Sequence, residues 1–335
     1  MSTMTARRMV FPCSVFLSVF SPSVLVSCMK TPTELPSQTI DASKPPDETP
    51  PAPPVTPSMA PQYTVAVVGD FGSQDAHEDS VAKLIKSWNP LEIITTGDNI
   101  YPDGGGSYDD AVGAYYADYI GDYKGTHGVG AMQNHFWPVP GNHDWAGNEA
   151  LAGFRAFFTL PPGPGGERYY DRALDAQGLV HLYVLDSDSH EPDGIRATSK
   201  QALWLEETLK ANAASACFHV VAFHHPPYTT LTGHRPATAL RWPFKAWGAD
   251  LVLTGHNHHY ERLNIDGLPY IVSGNGGAHL YEHQEEVAEG SLFFDDTHYG
   301  ALRLGIARGE IHGQAFAAGV AAPVDTFLVK KSCAK

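Results

Sequence analysis

Five short blocks carry side chains able to hold metal ions: Gly69-Asp70-Phe71-Gly72, Gly97-Asp98-Asn99-Ile100-Tyr101, Gly141-Asn142-His143-Asp144, Val221-Ala222-Phe223-His224 and Gly255-His256-Asn257-His258. Together they offer carboxylates, imidazoles, an amide and a phenol. That donor set suffices for two cations side by side, and a cation pair suits hydrolysis of a phosphate ester. Singly, each block is weak, because an Asp after a strand is common and His-x-His occurs by chance. The set gains weight because each block follows a stretch patterned as a β-strand.

The elements that must position these blocks read clearly. Tyr63 to Val68 is a buried strand running into Gly69-Asp70, and Val81, Leu84, Ile85 and Trp88 then repeat with helical spacing. Leu91 to Thr96, Phe136 to Val139, Val180 to Leu185, Phe218 to Phe223, Asp250 to Thr254 and Pro269 to Ser273 read as further strands. Gln201 to Asn212 is a helix with Ser199 as its N-cap. Leu240, Phe244 and Trp247 mark another helix, and the tyrosines at 115, 116, 119 and 123 form a packed helix face. Alternating strands and helices predict an α/β body, whose ligands gather at the carboxyl ends of the strands. Gly69, Gly97, Gly141 and Gly255 are expected to allow the sharp turn that aims the next side chain. Residues 290 to 316 suggest short strands closing a second sheet.

Of the 335 residues, 43% are hydrophobic, enough for one large domain with extensions. The formal charge of -15 disfavours nucleic acid and anionic membrane as electrostatic partners. It does not oppose a phosphate substrate, since bound cations would set the local field. Residues 1–28 read as a signal peptide: Arg7-Arg8, then an apolar run interrupted by Pro12 and Pro22, ending in Leu25-Val26-Ser27-Cys28. That end resembles the bacterial lipobox, in which cleavage precedes a cysteine that becomes lipidated, so a lipid anchor through Cys28 is expected. A plain signal peptide with an incidental Cys28 is the alternative. Residues 29–62 are rich in proline and read as an extended spacer. The expected location is therefore exported, periplasmic or at the cell surface. Cys217 and Cys333 either pair in an oxidising compartment or remain thiols, and spacing does not decide.

The ordered set resembles the calcineurin-like metallophosphoesterase superfamily, and within it the purple acid phosphatases, over roughly residues 63 to 316. Gly97-Asp98-x-x-Tyr101 points to the purple branch. Gly255-His256-x-His258-x-Tyr260-Glu261-Arg262 and Ser273-Gly274-Asn275-Gly276-Gly277 resemble the plant enzymes. His298-Tyr299-Gly300 with Arg303-Leu304 resembles the small tartrate-resistant type. The resemblance implies a β-sandwich of two mixed sheets flanked by helices, with the catalytic domain at 63–320 and a C-terminal tail at 321–335. It implies that Asp70, Tyr101 and His258 bind Fe(III). Asn142, His224 and His256 would bind a divalent Fe, Zn or Mn ion, and Asp98 would bridge the two. The implied reaction is hydrolysis of a small phosphomonoester by a metal-bound hydroxide. The donors suit these ions: carboxylate and phenolate oxygens for the harder cation, imidazole and amide for the other.

Histidines are expected around that centre. His143 would face the phosphate and protonate the leaving oxygen, with Asp144 orienting it. His234, in the loop after His224, would contact substrate, whereas His225 and His259, beside ligands, are either substrate-facing or structural, and His225 reads as a loop residue rather than a ligand. Two other functions stay open: a phosphodiesterase or nucleotidase using two divalent ions, in which Tyr101 is only structural, and a binding protein on an inactive scaffold.

Overall fold

The computed structural model describes residues 63–102, 106–145, 151–230, 233–283 and 286–333. The expected signal peptide, Cys28 and proline-rich spacer lie outside the described residues. Among the described residues, thirteen strands form two sheets. They are β1 (Tyr63–Val68), β2 (Glu92–Thr95), β3 (Phe136–Trp137), β4 (Tyr170–Ala173), β5 (Val180–Val184), β6 (Phe218–Ala222), β7 (Leu251–Thr254), β8 (Tyr260–Ile265), β9 (Leu268–Ser273), β10 (Ser291–Asp295), β11 (Gly300–Ala307), β12 (Glu310–Ala317) and β13 (Asp325–Lys330). One sheet has the order β13-β12-β11-β1-β2-β3 and the other β10-β8-β9-β7-β6-β5-β4. Both are mixed: β1, β2 and β3 run parallel in the first, and β5, β6, β7 and β9 in the second. The helices are α1 (Ala76–Ser87), α2 (Ala114–Tyr116), α3 (Asn142–Trp145), α4 (Ala152–Phe157), α5 (Lys200–Ala211) and α6 (Phe244–Trp247). This is the expected α/β sandwich of two mixed sheets with flanking helices.

The continuous apolar strands are explained by burial on two faces. Along β6, Phe218, Val220 and Ala222 join one hydrophobic cluster, while Val221 and the following Phe223 join another. The same alternation divides Leu251 and Leu253 from Val252 in β7. The second cluster takes Ala202, Leu205 and Leu209 from α5, which starts where Ser199 Oγ accepts the Ala202 N–H at 3.2 Å. Helix α1 is capped by Asp75, whose carboxylate accepts the His77 and Glu78 N–H groups.

Four readings need correction. Leu240 to Trp247 is not one helix but a 3₁₀ turn at Thr238–Leu240 followed by short α6, with the non-helical Pro243 between them. The strands after residue 290 divide: β10 pairs with β8 in the second sheet, whereas β11 joins β1 in the first. Strand β8 escaped notice because Glu261, Arg262 and Asn264 break its apolar pattern. Finally, residues 325–330, expected in a tail, form edge strand β13 against β12. Beyond it, Cys333 is disulfide-bonded to Cys217, with Cα atoms 5.1 Å apart, tying this end of the chain to the start of β6. The tyrosine segment winds from a π turn (Asp109–Gly113) through α2 into a 3₁₀ turn, and buries Tyr116 against Phe71 and Phe136.

One buried carboxyl in this frame has a measurable consequence. Glu78 of α1 is fully buried, and its Oε2 accepts the Gln74 N–H at 2.6 Å. Its Oε1 has no hydrogen-bond partner among the described residues. Burial pushes this carboxyl up to about 9, against the Gln74 bond, which lowers it. The folded chain therefore keeps a proton that the unfolded chain releases near pH 4.5. Stability must fall as pH rises from about 4.5 toward 9. Glu78→Gln should match the wild type below about pH 4 and exceed it by more than ~1 kcal/mol at pH 9. Urea unfolding across that range decides the matter, and parallel curves for the two proteins would refute it.

Candidate metal centre

All five blocks lie just beyond the carboxyl ends of strands: Asp70 after β1, Asp98 after β2, Asn142 after β3, His224 after β6, and His256 and His258 after β7. Backbone bonds stitch these ends together. Asp70 N–H donates to Gly97 O at 3.0 Å, Thr96 N–H to Val68 O at 2.9 Å, and Gly255 N–H to His224 O at 2.9 Å.

The turns themselves hold a surprise. Asp70 (φ 55°), Asp98 (φ 50°) and His256 (φ 67°) adopt left-handed backbone, which non-glycine residues seldom do. Such strain persists where surrounding structure over-determines it, and it gathers at functional sites. Of the four glycines expected to make the turns, only Gly97 has positive φ. The others are needed for space. A Cβ on Gly141 would collide with Asp98 Oδ1, one on Gly255 with Asp70 Oδ2, and one on Gly69 with Thr96 Oγ1. The glycines let the carboxylates approach, and the ligand-type residues themselves take the unusual turn.

The side chains converge. Asp98 is buried, and its Oδ2 lies 3.1 Å from the Tyr101 hydroxyl and 3.3 Å from His224 Nε2. Tyr101 Oη is also 3.4 Å from Asp70 Oδ1 and 3.2 Å from His258 Nε2, and His258 Nε2 is 3.4 Å from Asp70 Oδ1. On the other side of Asp98, His224 Nε2 is 3.0 Å from Asn142 Oδ1 and 3.1 Å from His256 Nδ1. So Asp70, Tyr101 and His258 form one group, Asn142, His224 and His256 a second, and Asp98 Oδ2 touches both.

Tautomers sharpen this picture. His224 Nδ1–H donates to Thr96 O at 2.8 Å and His258 Nδ1–H donates to His279 O at 2.6 Å. Each neutral ring then presents its Nε2 lone pair inward: that of His224 faces the Asp98 and Asn142 oxygens, which only accept, and that of His258 faces Asp70 and the Tyr101 hydroxyl. Lone pairs aimed at lone pairs require positive charge between them. In the metal-free chain a proton fills this role: burial disfavours the His224 cation, but Asp98 and Asp70 outweigh it and push the imidazole up to about 10. Burial raises Asp98, yet His224 and then His143 overcome it and hold the carboxyl well below the usual range. Burial, Asp98 and Asp70 keep the Tyr101 phenol far above its ordinary value. Only a strongly charged cation would reverse that preference.

Around this core, the His143 N–H donates to Asp98 Oδ1 at 2.9 Å, and its ring packs 4.3 Å from that of Tyr101. The Asp144 carboxylate, expected to orient His143, accepts from Gly141 N–H (2.8 Å), Asn99 Nδ2 (3.0 Å) and Tyr108 Oη (2.8 Å). These bonds brace the turn that carries Asn142 and His143. Burial and Asp98 push Asp144 up to about 7, against the bonds from Gly141, Tyr108 and Asn99. His234 lies beside His256, ring centroids 4.1 Å apart. His225, expected to be a plain loop residue, packs 4.3 Å from the His256 ring and shares a bond of 2.9 Å with Ser187 Oγ. Sequence reading passed over Thr96, Ser187 and His279, because Thr96 and His279 act through backbone carbonyls that every residue carries and Ser187 through an ordinary hydroxyl. His279 contributes only its backbone carbonyl.

The sandwich of mixed sheets with a donor cluster at its strand ends has a counterpart in a known family. Residues 63–260 match the calcineurin-like phosphoesterase family, and the chain belongs to that family. It is similar to purple acid phosphatase 15 of Arabidopsis thaliana, at 30% identity over 249 residues, covering 64% of this chain and 44% of the plant protein. The fold is similar to that of purple acid phosphatase from yellow lupin seeds, with a TM-score of 0.62, 16% identity, and 81% and 54% of the two chains covered. It is equally similar to GAP50, the anchor in the inner membrane complex of Plasmodium, with a TM-score of 0.62, 18% identity, and 81% and 90% covered. The chain spans less than half of the plant phosphatase.

Proposed function

We propose that this protein is a phosphatase that hydrolyses small phosphomonoesters with two metal ions held by Asp70, Asp98, Tyr101, Asn142, His224, His256 and His258. One observation carries the reading: the inward-facing lone pairs of His224 and His258, each fixed by an Nδ1–H bond to a carbonyl, meet Asp98, Asn142, Asp70 and Tyr101. The oxygen-rich group of Asp70 and Tyr101 favours a hard ferric ion, and the group of Asn142, His224 and His256 favours divalent Fe, Zn or Mn. When bound, such ions supply charge to offset the phosphate oxygens and acidity to ionise a water.

The chain's own residues do the rest. Asp98 gives one oxygen to both ligand groups while its other oxygen holds the His143 backbone. His143, partly exposed with its ring tilted against that of Tyr101, would donate a proton to the leaving oxygen. His234, exposed beside His256, would meet a phosphate oxygen. Asp144 keeps the Asn142-His143 turn in shape rather than acting on substrate. The likeness to plant purple acid phosphatases supports phosphomonoesters. Among the described residues no helix is long and apolar enough to cross a membrane.

The test is elemental analysis combined with hydrolysis of an aryl phosphate monoester and its matching diester by the full chain. Two metal equivalents per chain and preference for the monoester are expected. A metal-free protein, or one that cleaves the diester better, would overturn the reading.

A further inference from the structure

We propose that Tyr281 is a positioning residue that holds His258 as a metal-ligating imidazole and His234 at the substrate mouth. The inference rests on the metal-centre reading given above. Nothing in the five blocks singles out this tyrosine, which lies beyond the Gly274–Gly277 turn. Its ring lies parallel to that of His258, with centroids 4.1 Å apart and planes at 9°. Its edge meets His234, with centroids 5.5 Å apart and planes at 67°. Its backbone N–H donates to the His258 carbonyl at 3.1 Å.

An imidazole that ligates through Nε2 retains two soft motions, rotation in its own plane and tilt out of it. The Nδ1–H bond to His279 O, at 2.6 Å, restrains the first. The face of Tyr281 blocks the second, since a ring at van der Waals distance leaves no room to tilt. Residues that fix the orientation of a ligating histidine matter to metal affinity nearly as much as the ligands themselves. The other side of the tyrosine is equally specific. A Cβ on Gly233 would sit 2.7 Å from Tyr281 Cδ2, so only bare backbone lets this loop close on the ring. The next residue is His234, whose ring packs 4.1 Å from His256. His256, His234, Tyr281 and His258 therefore form an unbroken row of four rings. Its two ends are imidazoles from the two ligand groups, and its middle is a substrate-facing histidine and this tyrosine.

Replacing the ring should disturb both ends of the row. Tyr281→Leu should weaken retention of metal against a chelator about tenfold and raise KM for an aryl phosphate. Tyr281→Phe keeps the stacked ring and should restore both. Gly233→Ala, which pushes the loop off the ring, should raise KM while leaving metal retention near the wild-type value. Far-UV circular dichroism and melting of the chelated protein serve as the folding control. Tyr281→Leu indistinguishable from wild type in metal retention and KM would overturn the proposal. So would Tyr281→Phe as damaging as Tyr281→Leu, because the hydroxyl would then carry the effect. If Tyr281→Leu does not fold, Gly233→Ala decides alone, and an unchanged KM overturns the proposal. Wild-type protein that takes up no metal would remove the centre itself. Full metal uptake with silent Tyr281 variants would remove only this role.

Discussion

In Asp98→Asn, turnover of an aryl phosphate is expected to fall at least about a thousandfold, equivalent to ~4 kcal/mol of lost transition-state stabilisation. The substitution is nearly isosteric, so the buried turn at Asp98 and the bond from the His143 N–H to Oδ1 are kept. What disappears is the charge on the oxygen facing both Tyr101 and His224. On the two-metal proposal, an amide there would leave two cations sharing a buried site with too little negative charge, and charge burial without compensation is costly. Metal content should therefore drop together with activity. A second readout follows in the metal-free state. His224 is pushed up to about 10 in wild type, with Asp98 the leading group opposing the burial penalty. Its folded value lies above the ordinary 6.5, so the stability it contributes is present below about pH 6.5 and is lost as pH rises toward 10. Asp98→Asn should flatten that slope. An Asp98→Asn protein that keeps two metals and wild-type turnover would end the shared-carboxylate account.

Tyr101→Phe should abolish visible colour. A phenolate bound to ferric iron absorbs visible light, and phenylalanine has no oxygen to bind. In the chain alone, burial and the neighbouring carboxylates Asp98 and Asp70 keep this phenol protonated. Its ionisation therefore reports a strongly charged cation at the Asp70 and His258 side. The ring itself would stay, packed 4.3 Å from His143, so folding should survive. Absorption spectra of wild type and variant, taken at equal iron content, make the measurement. Colour that persists in Tyr101→Phe would exclude phenolate ligation. An active, colourless, iron-free wild type would favour the two-divalent-ion reading, with Tyr101 as a packing residue.

Readings of the strands held where apolar residues run unbroken, as from Phe218 to Phe223, because strands buried on both faces advertise themselves. They failed for β8 and β13, whose mixed polar residues belong to strands near or at a sheet edge. The helix expected across Leu240 to Trp247 failed because spacing alone gives no weight to Pro243. The glycine reading identified the right positions for the wrong reason: space, rather than backbone freedom, is what Gly69, Gly141 and Gly255 provide. The role of His225 stayed open because a histidine beside a ligand block has no signature of its own until neighbouring rings surround it.

By itself, the chain's sequence determined the donor chemistry, since residue types and their places after strands are local properties. It also determined the two-sided burial of the central strands, which is written in their composition. Only the tertiary structure decided which donors meet and which lone pairs face inward. It also set the row of rings from His256 to His258. Those depend on contacts between segments as distant as Asp70 and His258, or Thr96 and His224, and on carbonyls that no sequence pattern marks.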